Sequence, residues 1–383
     1  MTLMDKKFDR RSFLKASAGA AAAVAVASVL PKMVQAAPKN IPVAKLKFSE
    51  VQKLTPTEMA RRSGLREAGY TYLMGKAQKV SDSKVRAIAL EGLRNPMPII
   101  LEKYPDKASK EACRQKLLAA GYIKPENTID EIFPPLLTKD LRFWDAAGGG
   151  WGGHHAYPCG LITHVASDMQ IALGVFSIYE DTYGYSLDEE LLTNAILLHD
   201  NLKPWVLQWN QDNRCLPEIN IAGTGCHHVQ EIADVMYRNL DPDLVITLAD
   251  SHEHPGWKSQ EDQVVGWIKA AAIIAGKDPI KEGYLDKSGE TLPLPRRPEG
   301  FLVHLGDHDF VLTSPVSKWV HAELQKIAAK DYGLSEAELK GKKYNNLRNY
   351  VYSQASDMHL YQIWVNEGPK ALREAILNVV TPD

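Results

Sequence analysis

No two of the four cysteines, Cys113, Cys159, Cys215 and Cys226, have the Cys-x-x-Cys spacing of a zinc or dithiol redox site. Cys215 and Cys226 are near enough in sequence to close a short disulfide in an oxidising compartment. The preferred expectation is four free, buried thiols. An excess of one charge is also missing: 45 Lys and Arg against 47 Asp and Glu leave a formal net charge of -2. That excludes the strongly basic footprint of a nucleic-acid-binding domain. Strand alternation and hairpin turn signals are absent, so the expected fold class is all-α. Past the N-terminus no apolar run reaches the ~20 residues that cross a bilayer, so no membrane span is expected once a leader is removed.

What is present begins with that leader. Lys6, Lys7, Arg10 and Arg11 form a basic start, and Asp9-Arg10-Arg11-Ser12-Phe13-Leu14-Lys15 has the twin-arginine export pattern. Residues 16–30 are apolar and Ala-rich, and Val34-Gln35-Ala36 offers a small-residue cleavage site. Residues 1–36 are therefore expected to be a signal peptide, with the twin-arginine translocation machinery as a partner and the periplasm as the destination. That route carries folded proteins, which suits a chain loaded with its cofactor before export.

The mature chain reads as three regions. Residues 37–147 form an N-terminal helical region, opened by an extended arm and a helix start at Thr55-Pro56-Thr57-Glu58. Five glycines around Trp151 at 148–153 mark a sharp break, either a loop at the site or a hinge. Residues 148–312 carry the chemistry, interrupted by a Pro-, Gly- and charge-rich loop between 276 and 300. Residues 313–383 return to helical patterning as a C-terminal extension. Trp205, Trp209, Tyr350 and Tyr352 read chiefly as packing residues.

Ten of the 12 histidines fall between His154 and His308. At helical spacing they lie on the inward faces of successive helices. His164 shares a face with Asp168, and His199 precedes Asp200. His228 aligns with Ile232, while His227 sides with Glu231 and Asp234. His252 aligns with Leu248, His254 stands before Pro255, and His304, Asp307 and His308 share a face at i, i+3, i+4. Burying several imidazoles and carboxylates without partners costs several kcal/mol each, and a metal supplies the partner.

The order of these residues resembles the HD-domain superfamily: one His, a His-Asp doublet, further His and a late Asp on a helical bundle. Leu197-Leu198-His199-Asp200-Asn201-Leu202-Lys203 resembles the family's doublet motif. The run from His154-His155-Ala156-Tyr157 through Cys159-Gly160-Leu161 to His164 resembles the HHAYxGGLxxH entry motif of some members, including certain exoribonucleases. Cys159 stands where that motif has its first Gly. The resemblance covers about residues 150–312. It implies His164, His199, Asp200 and Asp307 around one ion, with His228 and His252 completing a second and Asp200 bridging. His227 in place of His228, and His254 in place of His252, are the alternatives left open. The helical-face argument expects alanine at Asp200 to abolish metal binding and alanine at His227 to be mild. Lys203 is expected to contact an anionic substrate, and His155 to support the ligands or the substrate.

The implied cofactor is a divalent metal, two ions of Fe, Mn, Zn or Mg, acting on a small anionic substrate. The leading function is a metal-dependent phosphohydrolase of a phosphomonoester or phosphodiester, using metal-activated water in the periplasm. A di-iron oxygenase on the same ligands, like myo-inositol oxygenase, is the second expectation. A non-catalytic exported metal-binding or sensor protein is the third. Ser251-His252-Glu253-His254-Pro255-Gly256-Trp257 departs from the motif of the cyclic-dinucleotide phosphodiesterase subset and argues against that substrate.

Overall fold

Thr55 does start a helix. Its hydroxyl accepts from the Glu58 N–H, the Glu58 carboxylate returns to the Thr55 N–H at 2.8 Å, and Pro56 occupies the first helical position. The computed structural model describes residues 43–383. The signal-peptide expectation for 1–36 and the start of the extended arm, 37–42, lie outside the described residues.

Helices of eight or more residues, numbered in chain order, are α1 Gly64–Ala77, α2 Ser83–Arg94, α3 Lys107–Ala119, α4 Gly160–Tyr183, α5 Glu189–Leu198, α6 Cys226–Tyr237, α7 Pro242–Ala249, α8 Lys258–Ala275, α9 Pro298–Asp307, α10 Phe310–Asp331, α11 Lys342–Ala355, α12 Asp357–Glu367 and α13 Pro369–Val379. Their ends follow local chemistry. Asp82, Asp188 and Asp241 cap α2, α5 and α7 through their carboxylates, and Gly184 ends α4 at φ 66°. Strand is confined to two-residue pairs among the described residues: Leu46–Lys47 runs parallel to Val380–Thr381, and Asn220–Ile221 pairs antiparallel with Thr224–Gly225. The fold is all-α. The stretch from 277 to 297 is irregular, as its composition predicts, although Tyr284, Leu285 and Leu292 are buried.

Two apolar cores hold these helices. The larger draws on α1 to α9, with Leu73, Leu117, Phe133, Ile162, Trp205 and Leu248 all fully buried. Each such side chain contributes roughly 1.5–3 kcal/mol over an exposed one. The smaller packs Val51 and Met59 against Val320, Leu324, Tyr350, Leu360 and Ile376, and reaches Tyr157 and Cys159. The larger core crosses the glycine-rich break, and the smaller one joins the start of the described chain to its C-terminal helices. α4 has the length and hydropathy of a membrane-crossing helix, but half of it is buried and His164 and Asp168 face inward from it.

The glycine-rich segment is packed tightly against the start of α4. The Gly148 N–H donates to the His155 carbonyl at 2.9 Å. A Cβ on Gly160 would lie 1.8 Å from that same carbonyl oxygen, so only glycine fits there. Cys159, where the resembled motif has glycine, sits in the left-handed region at φ 69°. On the far side, the Arg348 guanidinium of α11 lies 4.4 Å from the Trp151 ring and donates to the Ala156 carbonyl at 2.6 Å.

Candidate metal centre

Three helices and the ends of two others converge on one buried cluster. α4 supplies His164 and Asp168, the end of α5 supplies His199-Asp200, and α9 supplies Asp307. The first turn of α6 supplies His227, and the turn after α7 supplies His252. One ligand atom from each of His164, Asp168, His199 and Asp307 lies within 4.8 Å of the others, and the same holds for Asp200, His227 and His252.

Asp200 stands between the sets. Its Oδ2 is 3.1 Å from His164 Nε2 and 3.3 Å from His199 Nε2, while its Oδ1 is 3.7 Å from His227 Nε2. Asp307 is divided likewise, with Oδ1 3.2 Å from His164 Nε2 and Oδ2 3.7 Å from His252 Nε2. Both carboxylates therefore face both groups of imidazoles.

The outer ring nitrogens are held. His199 Nδ1–H donates to the Ile196 carbonyl at 2.9 Å, and His227 Nδ1–H donates to Glu218 Oε2 at 2.6 Å. Thr224 Oγ1 lies 2.8 Å from His252 Nδ1. These bonds leave the Nε2 atoms of His199 and His227 aimed inward as free lone pairs, the orientation that metal-ligating histidines take. Inside the cluster, both ring nitrogens of His164, both carboxylate oxygens of Asp168 and Asp200, and Nε2 of His199 and His227 are buried and make no directed hydrogen bond, their near neighbours being one another and the Lys203 ammonium. Imidazole nitrogens and carboxylate oxygens gathered this closely are satisfied together by a bound cation.

Charge points the same way. The Lys203 ammonium pairs with Asp200, and the carboxylates of Asp168, Asp200 and Asp307 otherwise face the imidazoles of His164 and His199. Burial works against the charge on Asp200, but His199 and Lys203 outweigh it and hold the carboxyl well below its usual range. Burial pushes Asp168 up to about 6 against the pull of His164. An N/O donor set of this composition suits Zn, Fe or Mn.

The expected residues can now be located. His164, His199, Asp200, His252 and Asp307 are brought together. His228 is not among them. Its Nε2 lies 3.2 Å from the Ala249 carbonyl, its ring stacks on His252 at 4.0 Å, and burial pushes its pKa down to about 3. His227 occupies the inward position instead. α6 begins at Cys226, so the partners of its first turn come from other elements, which a helical-face argument does not weigh. His254 belongs to a separate group with Glu253 and His304.

Lys203 is buried rather than open to solvent. It donates to the Gly148 carbonyl at 2.8 Å, with Nζ 2.7 Å from Asp200 Oδ2. His155 is also buried, at φ 51°, with its ring 5.3 Å from that of His164 and Nε2 3.8 Å from Asp309. The four cysteines are free and buried. Trp205, Tyr350 and Tyr352 are fully buried packing residues, and the half-buried Trp209 donates to the Asp145 carbonyl.

Comparison with known proteins adds two findings. The family pattern of the twin-arginine translocation pathway signal sequence matches residues 7–27. The chain is exported by the twin-arginine route. Its destination is the periplasm, and the translocation machinery is its partner on the way. A dihydroneopterin 2',3'-cyclic phosphate phosphodiesterase of Methanocaldococcus jannaschii is 38% identical over 52 residues, 14% of this exported chain and 21% of that protein. The exported chain thus matches about a fifth of the length of that curated relative. No solved structure matches.

Proposed function

We propose that this protein is a metal-dependent phosphohydrolase of the HD-domain superfamily, hydrolysing a phosphomonoester or phosphodiester outside the cytoplasm. The carrying observation is the buried convergence of His and Asp ligand atoms in two sets joined through Asp200 and Asp307. His164, His199, Asp200 and Asp307 would hold one ion, and Asp200, His227 and His252 a second. The short likeness to a cyclic-phosphate phosphodiesterase supports phosphoester chemistry over oxygen chemistry. Divalent ions bound in such a site supply Lewis acidity toward a phosphoryl oxygen and acidify water toward neutral pH.

The chain's own groups have distinct tasks. Glu218 keeps the proton on His227 Nδ1 and so leaves Nε2 as a donor of electrons. Lys203 offsets part of the negative charge of Asp200 and ties it to the glycine-rich segment through Gly148. With the ions bound, the same ammonium stands beside the metal centre, where an anionic substrate gains from it. Burial of His164, His199, Asp200 and Lys203 away from bulk water strengthens these interactions.

The test is hydrolysis of p-nitrophenyl phosphate and bis-p-nitrophenyl phosphate by mature protein reconstituted with Mn, Zn or Fe. Turnover of one ester, lost on Asp200→Ala, is the expected result. A metal-loaded protein that turns over neither ester, nor a wider phosphoester panel, would overturn the proposal. Iron-dependent oxygen consumption in that case would identify the oxygenase instead.

A further inference from the structure

We infer a second, outer metal site built by Glu253, His254 and His304. One ligand atom from each of these three lies within 4.8 Å of the other two. Glu253 Oε1 is 3.9 Å from His254 Nε2 and 3.9 Å from His304 Nε2. That separation is too long for a hydrogen bond, whose reach is about 3.2 Å. It lies between the roughly 3.4 Å of two tetrahedral ligands about 2.1 Å from a shared ion and the roughly 4.2 Å of two opposite ones, so a small side-chain movement lets both reach it. Three polar groups thus converge without bonding one another.

His304 is already oriented for the task. Its Nδ1–H donates to the Ser251 carbonyl at 3.0 Å, which leaves the Nε2 lone pair facing Glu253. His254 is less committed: its Nδ1 accepts the Gly256 N–H at 3.1 Å, a bond it gives up when Nε2 takes an ion. The side chains of Glu253 and His254 are 24% and 29% exposed and that of His304 7%, against 20% for His252 and 0–8% for His164, His199, Asp200, His227 and Asp307. Two of the three outer ligands are thus open to solvent, which favours exchange of an outer ion.

The same two elements build both sites. His252 and Asp307 face the inner cluster; Glu253 and His254 follow His252 in the turn, and His304 lies one turn before Asp307 on α9. Two imidazoles and one carboxylate select Zn, Co, Ni or Fe over Mg and Ca. The site does not depend on the phosphohydrolase proposal, because it requires only that the outer residues bind an ion.

The test is equilibrium dialysis of mature protein against buffered Zn²⁺, with elemental analysis, on the wild type, Glu253→Gln, His254→Gln, His304→Asn and Asp200→Ala. The wild type should hold one ion more than each of the three outer variants at the same free Zn²⁺. The affinity lost should exceed the roughly 10–100-fold that removal of a mere orienting partner costs. Asp200→Ala should keep the outer ion, including in the case that the inner cluster proves to bind nothing. Circular dichroism melts establish that each variant is folded; Glu253 and His254, being partly exposed, keep the test usable if His304→Asn is not. Equal stoichiometry and affinity in the wild type, Glu253→Gln and His254→Gln would overturn the inference, as would an extra ion that disappears only with Asp200→Ala.

Discussion

Asp145 carries a pH signal away from the metal centre. Its carboxylate accepts from Thr57 Oγ1 at 2.7 Å and lies 3.9 Å from Arg142, yet burial pushes its pKa up to about 6. A carboxyl with a raised pKa holds its proton more tightly folded than unfolded. Its contribution to stability is therefore greatest below about pH 4, declines as pH rises through about 6, and stays low above that. The full step is about 3 kcal/mol for a shift of roughly two units. Asp145→Asn keeps the shape and an acceptor for Thr57 but cannot titrate. In urea unfolding at pH 4 and pH 7.5, the variant should gain on the wild type by roughly 2–3 kcal/mol between the two conditions. A difference independent of pH would contradict this assignment. Other residue-scale features were hidden from the sequence for the same reason that Asp145 was. Glu218 reaches His227 from nine residues away through a turn, and Asp168 was visible on the α4 face but not as a neighbour of His199. Contacts of that kind belong to the fold and leave no spacing pattern.

At the scale of elements, the first turn of α6 decides which of two adjacent histidines matters. His227→Ala removes an inward Nε2 and should lower metal affinity by more than the roughly 10–100-fold of an outer partner, with little change in the melting temperature of the metal-free protein. His228→Ala leaves a hole beneath His252 and Trp267 and should cost about 1–3 kcal/mol of stability while keeping metal stoichiometry. Metal titration and thermal melts of both variants check this, and the opposite pattern would contradict the geometry. Helical spacing located the inward faces of α4, α5 and α9, because there the side that faces the His and Asp cluster is also the core-facing side. On α6 the two differ: His228 turns to the apolar core, and His227 turns to Asp200. Apolar periodicity reports burial, so it selected His228. Helix starts were legible wherever a side chain caps its own helix, as at Thr55.

For the whole molecule, helical periodicity without strand alternation was enough for the all-α class, and the leader was enough for the export route. The two cores were not legible, because they join residues hundreds of positions apart, as Leu46–Lys47 joins Val380–Thr381. The resulting packing puts α11 behind the glycine-rich segment, so the C-terminal extension braces the segment that receives Lys203. His164, His199, Asp200, His227, His252 and Asp307 meet in one largely buried cluster within this packing. We propose that divalent ions fill this cluster. The most direct measurement is elemental analysis of natively purified mature protein, washed with a weak chelator to strip exchangeable metal, with Asp200→Ala beside the wild type. The account predicts about two ions per wild-type chain, as in two-metal sites, and their loss in the variant. Wild type and variant both carrying under about half an ion per chain, with no recovery on added metal, would contradict it.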